Sequence, residues 1–423
     1  MSGLRESSSD PDVSAPPDAA DSPPSSARRL RRAARRERLR DPAARRRRRY
    51  RRILIAVPLL GVLAWAIVSY TTWMVRPTST SWSVNSVEWV RHRVPFGNWA
   101  ADHIESAYYN HNAPKKGGPQ RKSLPAVGAN RPGTAPAAPW PPPISPVFPS
   151  PLPGEGVWNP TGAPPVNGGP PMLVTTYRPE LDYPQLVAYV TWFDHTRTQL
   201  GYYPGRYEPP NAAVRGPMMV PDSQRSRLLA TFNGGFTYTD GDNGSTDNGR
   251  MNEPLKDGNG TLVGYVDGRV DIVKWNGGPT TGPDVAWSRQ SLVPIVWDGQ
   301  LNPFLNDNPD SPQWGYTLGG RTRVWRTGVG IDARGNLMYV AADSQTVITL
   351  AKILQHAGAV RAMEFDINPE WHTLITYTHN PGLVPTMVGP NPNQSVNRYL
   401  VPDDRDFFAV YLPQPGPVTV PFG

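Results

Sequence analysis

RTGVGIDARGNLMYVAADSQTVITLAKILQHAGAVRAMEFD, running from Arg326 to Asp366, changes its period twice. Arg326 to Asp332 and Leu337 to Asp343 read as two strands joined by Ala333-Arg334-Gly335-Asn336, a turn sequence. From Thr346 to Ala357 the spacing changes. Val347, Leu350, Ala351 and Leu354 fall on one helical face, and Gly358 is a suitable C-terminal stop. Val360 to Ile367, VRAMEFDI, reads as a strand again. Two sequential strands, one helix and a third strand point to an α+β domain rather than to a repeated βαβ unit.

The same strand signals extend on both sides. LVTTYRP from Leu173, LVAYVTWFD from Leu186, SRLLATFNGGF from Ser226 and SLVPIVWDG from Ser291 are apolar runs bounded by turn residues. Val263 to Val266 and Val270 to Val273 flank Asp267-Gly268, a hairpin signal, and Asp406 to Leu412 reads as the last strand. The fold class expected for residues 172–423 is therefore α+β, mostly β with few helices, built on a single core.

Upstream, the composition changes. Residues 28–52 carry 15 arginines against Glu37 and Asp41, whereas residues 1–27 are acidic and rich in Ser, Pro and Ala. Subtracting these segments leaves the remainder near neutral, so the net charge of +8 says nothing about the ligand of the β domain. Ile53 to Val75, ILIAVPLLGVLAWAIVSYTTWMV, is 23 residues without a charge, enough for the roughly 30 Å hydrocarbon layer of a bilayer. More than 50 residues precede it and no small-residue cleavage site follows, so a retained single span is expected rather than a signal peptide. The arginine run before it places the N-terminus in the cytoplasm and the C-terminal domain outside. That run reads as a topology and anionic-lipid signal rather than as a nucleic-acid site.

The expected organisation is an arginine-rich, disordered cytoplasmic tail (1–52), a transmembrane helix (53–75), a membrane-proximal segment with helical character (76–113), a proline-rich spacer (114–171) and the globular domain (172–423). Fifteen prolines between Pro132 and Pro171 favour extended, semi-rigid chain in the spacer. The composition also suits a high-GC actinobacterial chain.

Four signals stand in fixed order: Phe232-Asn233-Gly234-Gly235-Phe236 at a strand end, Arg326-Thr327-Gly328-Val329-Gly330-Ile331-Asp332, the Asp343 turn before the helix, and Ala362-Met363-Glu364-Phe365-Asp366. Together they resemble the phosphodiester glycosidase family, whose members carry NGGFF-, RTAVG- and LDGGGS-like stretches in this order. The resemblance covers roughly residues 172–412. It implies a hydrolase that cleaves a glycosidic bond, including that of a sugar 1-phosphodiester. After Asp366, however, the family's glycine run is replaced by Ile367-Asn368-Pro369-Glu370-Trp371-His372. Consecutive glycines let backbone N–H groups close on an oxyanion, whereas Pro369 has no N–H and Ile367 and Trp371 add bulk.

The residues themselves suggest roles. Glu364 and Asp366, two apart on a strand, share a face, and a pair of carboxyls is what glycosidic cleavage requires. Arg326 can fix an anion bidentately or act as a structural ion pair with Asp343 or Asp366. Asn233, Gly234 and Gly235 offer an amide and unhindered backbone at a strand end, or simply a tight turn. With Thr327 and Asp343 they form the expected substrate-binding set, around the catalytic set Asp366, Glu364 and Arg326.

Beyond Phe236, Tyr238 to Arg250 reads as a mobile, solvated loop, with calcium binding through Asp240, Asp242, Asn243, Asp247 and Asn248 as the alternative. There is no cysteine, and the seven histidines show no metal-ligand spacing. Thiolate zinc sites and cysteine nucleophiles are excluded, and no metal or cofactor is expected. No GxSxG elbow, Walker loop or dinucleotide fingerprint stands in suitable context. The expected partners are the membrane and an envelope glycan or phosphoglycan, with no nucleic acid. The expected function is a membrane-anchored extracytoplasmic glycosidase, the alternative being a non-catalytic glycan-binding or envelope scaffold domain.

Overall fold

The structure is a computed structural model and describes residues 42–111, 114–128, 140–317 and 320–414. The tail expectations for residues 1–41 and the spacer expectation for residues 129–139 lie outside the described residues. The chain divides into two units, Met1–Thr71 and Thr72–Gly423. In the first, the described residues belong to helix α1 (Pro42–Met74), and Arg45–Met74 is long and apolar enough to cross a membrane. Its apolar side chains, Leu54, Leu59 and Val68 among them, are exposed.

The second unit is mostly β with few helices. It begins with α2 (Trp82–Arg93) and α3 (Gly97–His111). An eight-stranded antiparallel sheet follows the order β1 (Asn159–Pro160), β2 (Met172–Tyr177), β3 (Ala188–Phe193), β14 (Leu337–Gln345), β13 (Val324–Asp332), β15 (Ala359–Glu364), β11 (Val296–Trp297), β12 (Gln300–Leu301). A five-stranded sheet has the order β17 (Val384–Met387), β16 (Leu374–Thr378), β5 (Leu228–Asn233), β18 (Phe407–Tyr411), β4 (Gln199–Tyr203). A second five-stranded sheet has the order β7 (Arg250–Glu253), β6 (Ser245–Asp247), β10 (Val285–Gln290), β8 (Gly260–Tyr265), β9 (Val270–Lys274).

One apolar cluster joins all three sheets, with Val329, Tyr339 and Phe365 from the first, Phe232 and Phe408 from the second, and Leu262 and Trp287 from the third. On the opposite face of the large sheet packs helix α5 (Val347–His356), through Leu350, Ala351 and Leu354. Its Thr346 N-cap forms a reciprocal capping box with Thr349. The glycines of RTGVG explain the close fit of this helix. A Cβ at Gly328 would stand 3.1 Å from Leu354 Cδ1, and one at Gly330 would stand 2.7 Å from the Ala359 Cβ. Alternation along β13 therefore sends Arg326 to the helix face and Thr327 to the inter-sheet core.

The spacer reading requires correction after residue 140. Ile144 and Trp158 are buried in the helix-side cluster, β1 pairs with β2, and the Glu155 carboxylate holds Arg178 at 2.7 Å. Proline keeps a segment extended, but interspersed Ile and Trp side chains still provide apolar surface that can be buried.

Candidate functional site

The site forms where β5, β13 and β15 end beside one another. Backbone pairing of β13 with β15 continues past Glu364: the Phe365 N–H donates to Thr327 O (2.8 Å) and the Thr327 N–H to Asp366 O (2.8 Å). The Thr327 hydroxyl reinforces this, accepting from Asp366 N at 3.0 Å and donating to Asp366 O at 3.2 Å. From the adjoining sheet, Asn233 Nδ2 donates to Thr327 Oγ1 (3.1 Å) and to Gly234 O (2.8 Å). Its Oδ1 accepts from the Tyr339 hydroxyl (2.6 Å) and Thr373 N (3.1 Å). Both donors and both lone pairs of the amide are therefore occupied, so Asn233 positions its neighbours and has nothing left for a ligand.

The two glycines are also explained by packing. A Cβ at Gly234 would meet Asp406 Oδ1 at 2.7 Å, and one at Gly235 would meet Ser291 Oγ at 2.7 Å. The Gly234 N–H already donates to Asp406 O (3.0 Å), so it is not an open donor as its sequence suggests.

Glu364 and Asp366 separate in role. Glu364 is fully buried on the helix face, where Oε1 accepts from Arg326 Nη1 at 2.5 Å and Oε2 has no partner among the described residues. Arg326 in turn donates to the carbonyls of Gln345 (2.8 Å), Trp314 (3.4 Å) and Thr322 (3.1 Å). Its ion-pair partner is thus Glu364, and neither Asp343 nor Asp366 takes that place. Burial raises the Glu364 pKa, against the attraction of Arg326.

Asp366 lies just beyond the strand. Asn368 N donates to its Oδ1 (2.9 Å) and Arg405 Nη2 to its Oδ2 (3.2 Å). Burial raises its pKa, with Arg405 the largest opposing influence. Arg405 also donates to Gly235 O at 3.2 Å, and its Nε is buried without a partner among the described residues. Arg405 thus retains a buried N–H with no acceptor among the described residues, whereas both donors of the Asn233 amide are taken.

Asp343 stands apart. Its Oδ1 accepts from Ser344 Oγ (3.0 Å), burial raises its pKa, and among the described residues it makes no bond to the Asp366 cluster. Arg405, and Arg289, whose Nε donates to Asp406 at 2.6 Å, are the members that sequence reading missed. They lie in segments with no catalytic pattern and reach the site only through sheet pairing.

The stretch from Tyr238 to Arg250 is also corrected. It folds into a one-turn helix, α4 (Tyr238–Gly241), followed by β6 and the start of β7, with Ser245, Thr246 and Asp247 buried. Asp247 accepts from Arg250 Nη2 (2.7 Å) and Asn252 Nδ2 (2.7 Å), so the aspartate reserved for a cation has ordinary protein partners. Among the described residues no group of three or more acidic or histidine side chains is gathered as a metal site. His372, beside the site, stacks on Trp325 with centroids 3.8 Å apart, and burial lowers its pKa to about 4.

Residues 211–366 match the family model described as phosphodiester glycosidase. No curated protein matches the chain. Among solved structures, the chain is similar to the zebrafish N-acetylglucosamine-1-phosphodiester alpha-N-acetylglucosaminidase catalytic domain auto-inhibited by its pro-peptide. The identity there is 15%, covering 60% of this chain and 87% of that one, with a TM-score of 0.37. A Synechocystis protein is similar at 11% identity, covering 60% of this chain and 65% of that one, with a TM-score of 0.36.

Proposed function

We propose that the protein is a single-span membrane protein whose C-terminal domain, outside the cytoplasm, cleaves a glycosidic bond in an envelope glycan or phosphoglycan. A sugar 1-phosphodiester is the substrate class the family match favours. The observation that carries the reading is Asp366: a buried carboxyl with raised pKa at a strand end, bonded to an arginine that still has a free buried donor. A carboxyl tuned upward by burial suits proton transfer near neutral pH. The unbonded Arg405 donor suits a phosphate oxygen or a sugar hydroxyl.

In this reading Asp366 carries acid/base chemistry and Arg405 binds the polar leaving group. Thr327, Asn233, Gly234 and Gly235 hold them in place, while the Glu364–Arg326 pair supports the strand ends from behind. The binding-only alternative is favoured by one feature, the occupied hydrogen bonds of Asn233 and Arg326, which leave few groups free to act.

The test uses the full chain in detergent or nanodiscs with a glycosyl phosphodiester and aryl glycosides. Sugar release by the wild type and its loss in Asp366→Asn support the hydrolase. Glycan binding without release, unchanged in Asp366→Asn, supports the scaffold. Protease protection in sealed vesicles reports which side carries the domain.

A further inference from the structure

The sequence supplied Glu364 as the second carboxyl, but Glu364 is enclosed with Arg326. Another carboxyl lies on the Arg405 side. Residues 205–208 run beside 403–405: Arg206 N donates to Asp403 O (2.9 Å), Tyr207 N to Asp404 O (3.0 Å), and Gly205 N to Glu208 O (2.7 Å). This brings Glu208 to the neighbourhood of Arg405. Its Oε2 accepts from Tyr238 N at 3.2 Å, the residue that follows the NGGF segment by two positions. Its Oε1 has no hydrogen-bond partner among the described residues, and the side chain is half-buried rather than enclosed.

The charged groups around it are Arg405, Asp406 and Arg289. Asp406 is committed to Arg289, at 2.6 Å, and lies within 3.4 Å of the Tyr202 and Tyr238 hydroxyls. Asp366 is bonded directly to Arg405, which favours its ionised form, whereas Glu208 has only a backbone N–H. Two carboxyls near one guanidinium, one ion-paired and one not, are an arrangement that separates an acid from a base.

We infer that Glu208 is the second catalytic carboxyl of this site, donating its proton to the leaving oxygen while Asp366 acts as the ionised base. The inference rests on the hydrolase reading above. As the bond from the anomeric carbon to the leaving oxygen breaks, its electron pair goes to that oxygen, which takes the Glu208 proton. Water forms the new bond to the anomeric carbon, and its proton passes to Asp366. Burial raises the Glu208 pKa, in keeping with a carboxyl that stays protonated long enough to donate.

The experiment compares wild type, Glu208→Gln and Glu208→Asp in the full chain on two glycosides of one sugar, one with a nitrophenyl and one with an alkyl leaving group. Glu208→Gln should lose about 10²- to 10⁴-fold in kcat/KM on the alkyl glycoside, the usual range for general acid catalysis. It should lose less than about tenfold on the nitrophenyl glycoside, whose leaving group needs no proton. The alkaline limb of its pH profile should disappear, and Glu208→Asp, which keeps a carboxyl, should retain that limb. An active wild type with Glu208→Gln unaffected, or equally impaired on both substrates, overturns the role of Glu208 alone. A wild type that releases sugar from neither glycoside nor from a glycosyl phosphodiester overturns the hydrolase reading and this inference together, and one that cleaves only the phosphodiester overturns the role of Glu208 alone.

Discussion

Arg405 Nη2 lies 3.2 Å from Asp366 Oδ2 and 3.2 Å from the carbonyl of Gly235. One guanidinium thus ties the residue just beyond β15 to the loop that leaves β5. A charge-assisted hydrogen bond of this kind contributes about 1.5–3 kcal/mol. Arg405→Gln should therefore lower kcat/KM on a phosphodiester substrate by roughly 10- to 100-fold. It also removes the charge that opposes burial at Asp366, so the acid limb of the pH–rate profile should move to higher pH. A steady-state pH series on both proteins checks the magnitude and the direction.

Glu364 and Arg326 behave as a buried structural pair. Arg326→Met strands a carboxyl inside the domain and should cost about 3–5 kcal/mol of stability, the usual consequence of breaking such a pair. The double change Arg326→Met with Glu364→Leu should recover most of that loss, because the uncompensated charge is gone. Thermal unfolding of the two variants distinguishes this from an open catalytic role for Glu364, in which the double variant would stay folded and the single ones would fold normally.

His372 links stability to pH. Its folded-state pKa is lowered by burial to about 4, below the ordinary value of 6.5, so its contribution is complete above 6.5 and is lost as pH falls toward 4. The loss is on the order of 3 kcal/mol. Asp366 and Glu364 act in the opposite direction, since their raised pKa values favour the folded state as they protonate at low pH. Unfolding measured between pH 7 and 4 should show a shallower decline in His372→Gln than in wild type.

Gly315 sits at φ +80° where a Cβ would collide with the Phe236 ring and stand 3.0 Å from Ile367 Cδ1. Those neighbours belong to the NGGF segment and to the residue after Asp366. Gly315→Ala should destabilise the domain by about 1–3 kcal/mol and weaken KM more than a surface control such as Gly299→Ala. A melting curve and a Michaelis series on each variant check it.

Much of the framework was legible in the chain. The period changes between Arg326 and Asp366 announce β13, β14, α5 and β15, because alternation and helical spacing are local properties of side-chain type. Asp267-Gly268 announces the β8–β9 hairpin for the same reason. β4, β10 and β16 were not announced. QLGYY, VAWSRQ and LITYT are short, and buried polar residues in them find their partners outside their own strand, Arg289 on Asp406, which precedes β18 of another sheet, and Ser288 on Thr246 of its own sheet. The loop from Tyr238 to Arg250 reads as solvated because its residues are polar, yet Asp247 is buried once Arg250 and Asn252 satisfy it.

The site divides in the same way. Sequence alone placed a strand ending in Asn233-Gly234-Gly235, an Arg326-Thr327 strand and Asp366 within residues 211–366, the stretch that matches the phosphodiester glycosidase model. Only the tertiary structure decided which of these groups remain free to act. The direction of alternation across β13 and β15 sends Arg326 and Glu364 to the helix face, and hydrogen bonds fill the capacity of Asn233. Pairing of β18 with β5 then brings Arg405, 172 positions from Asn233 in the chain, to Asp366. Spacing along a chain reports local geometry, whereas partner choice in a buried network depends on which strand ends meet, and that is settled by packing the whole domain.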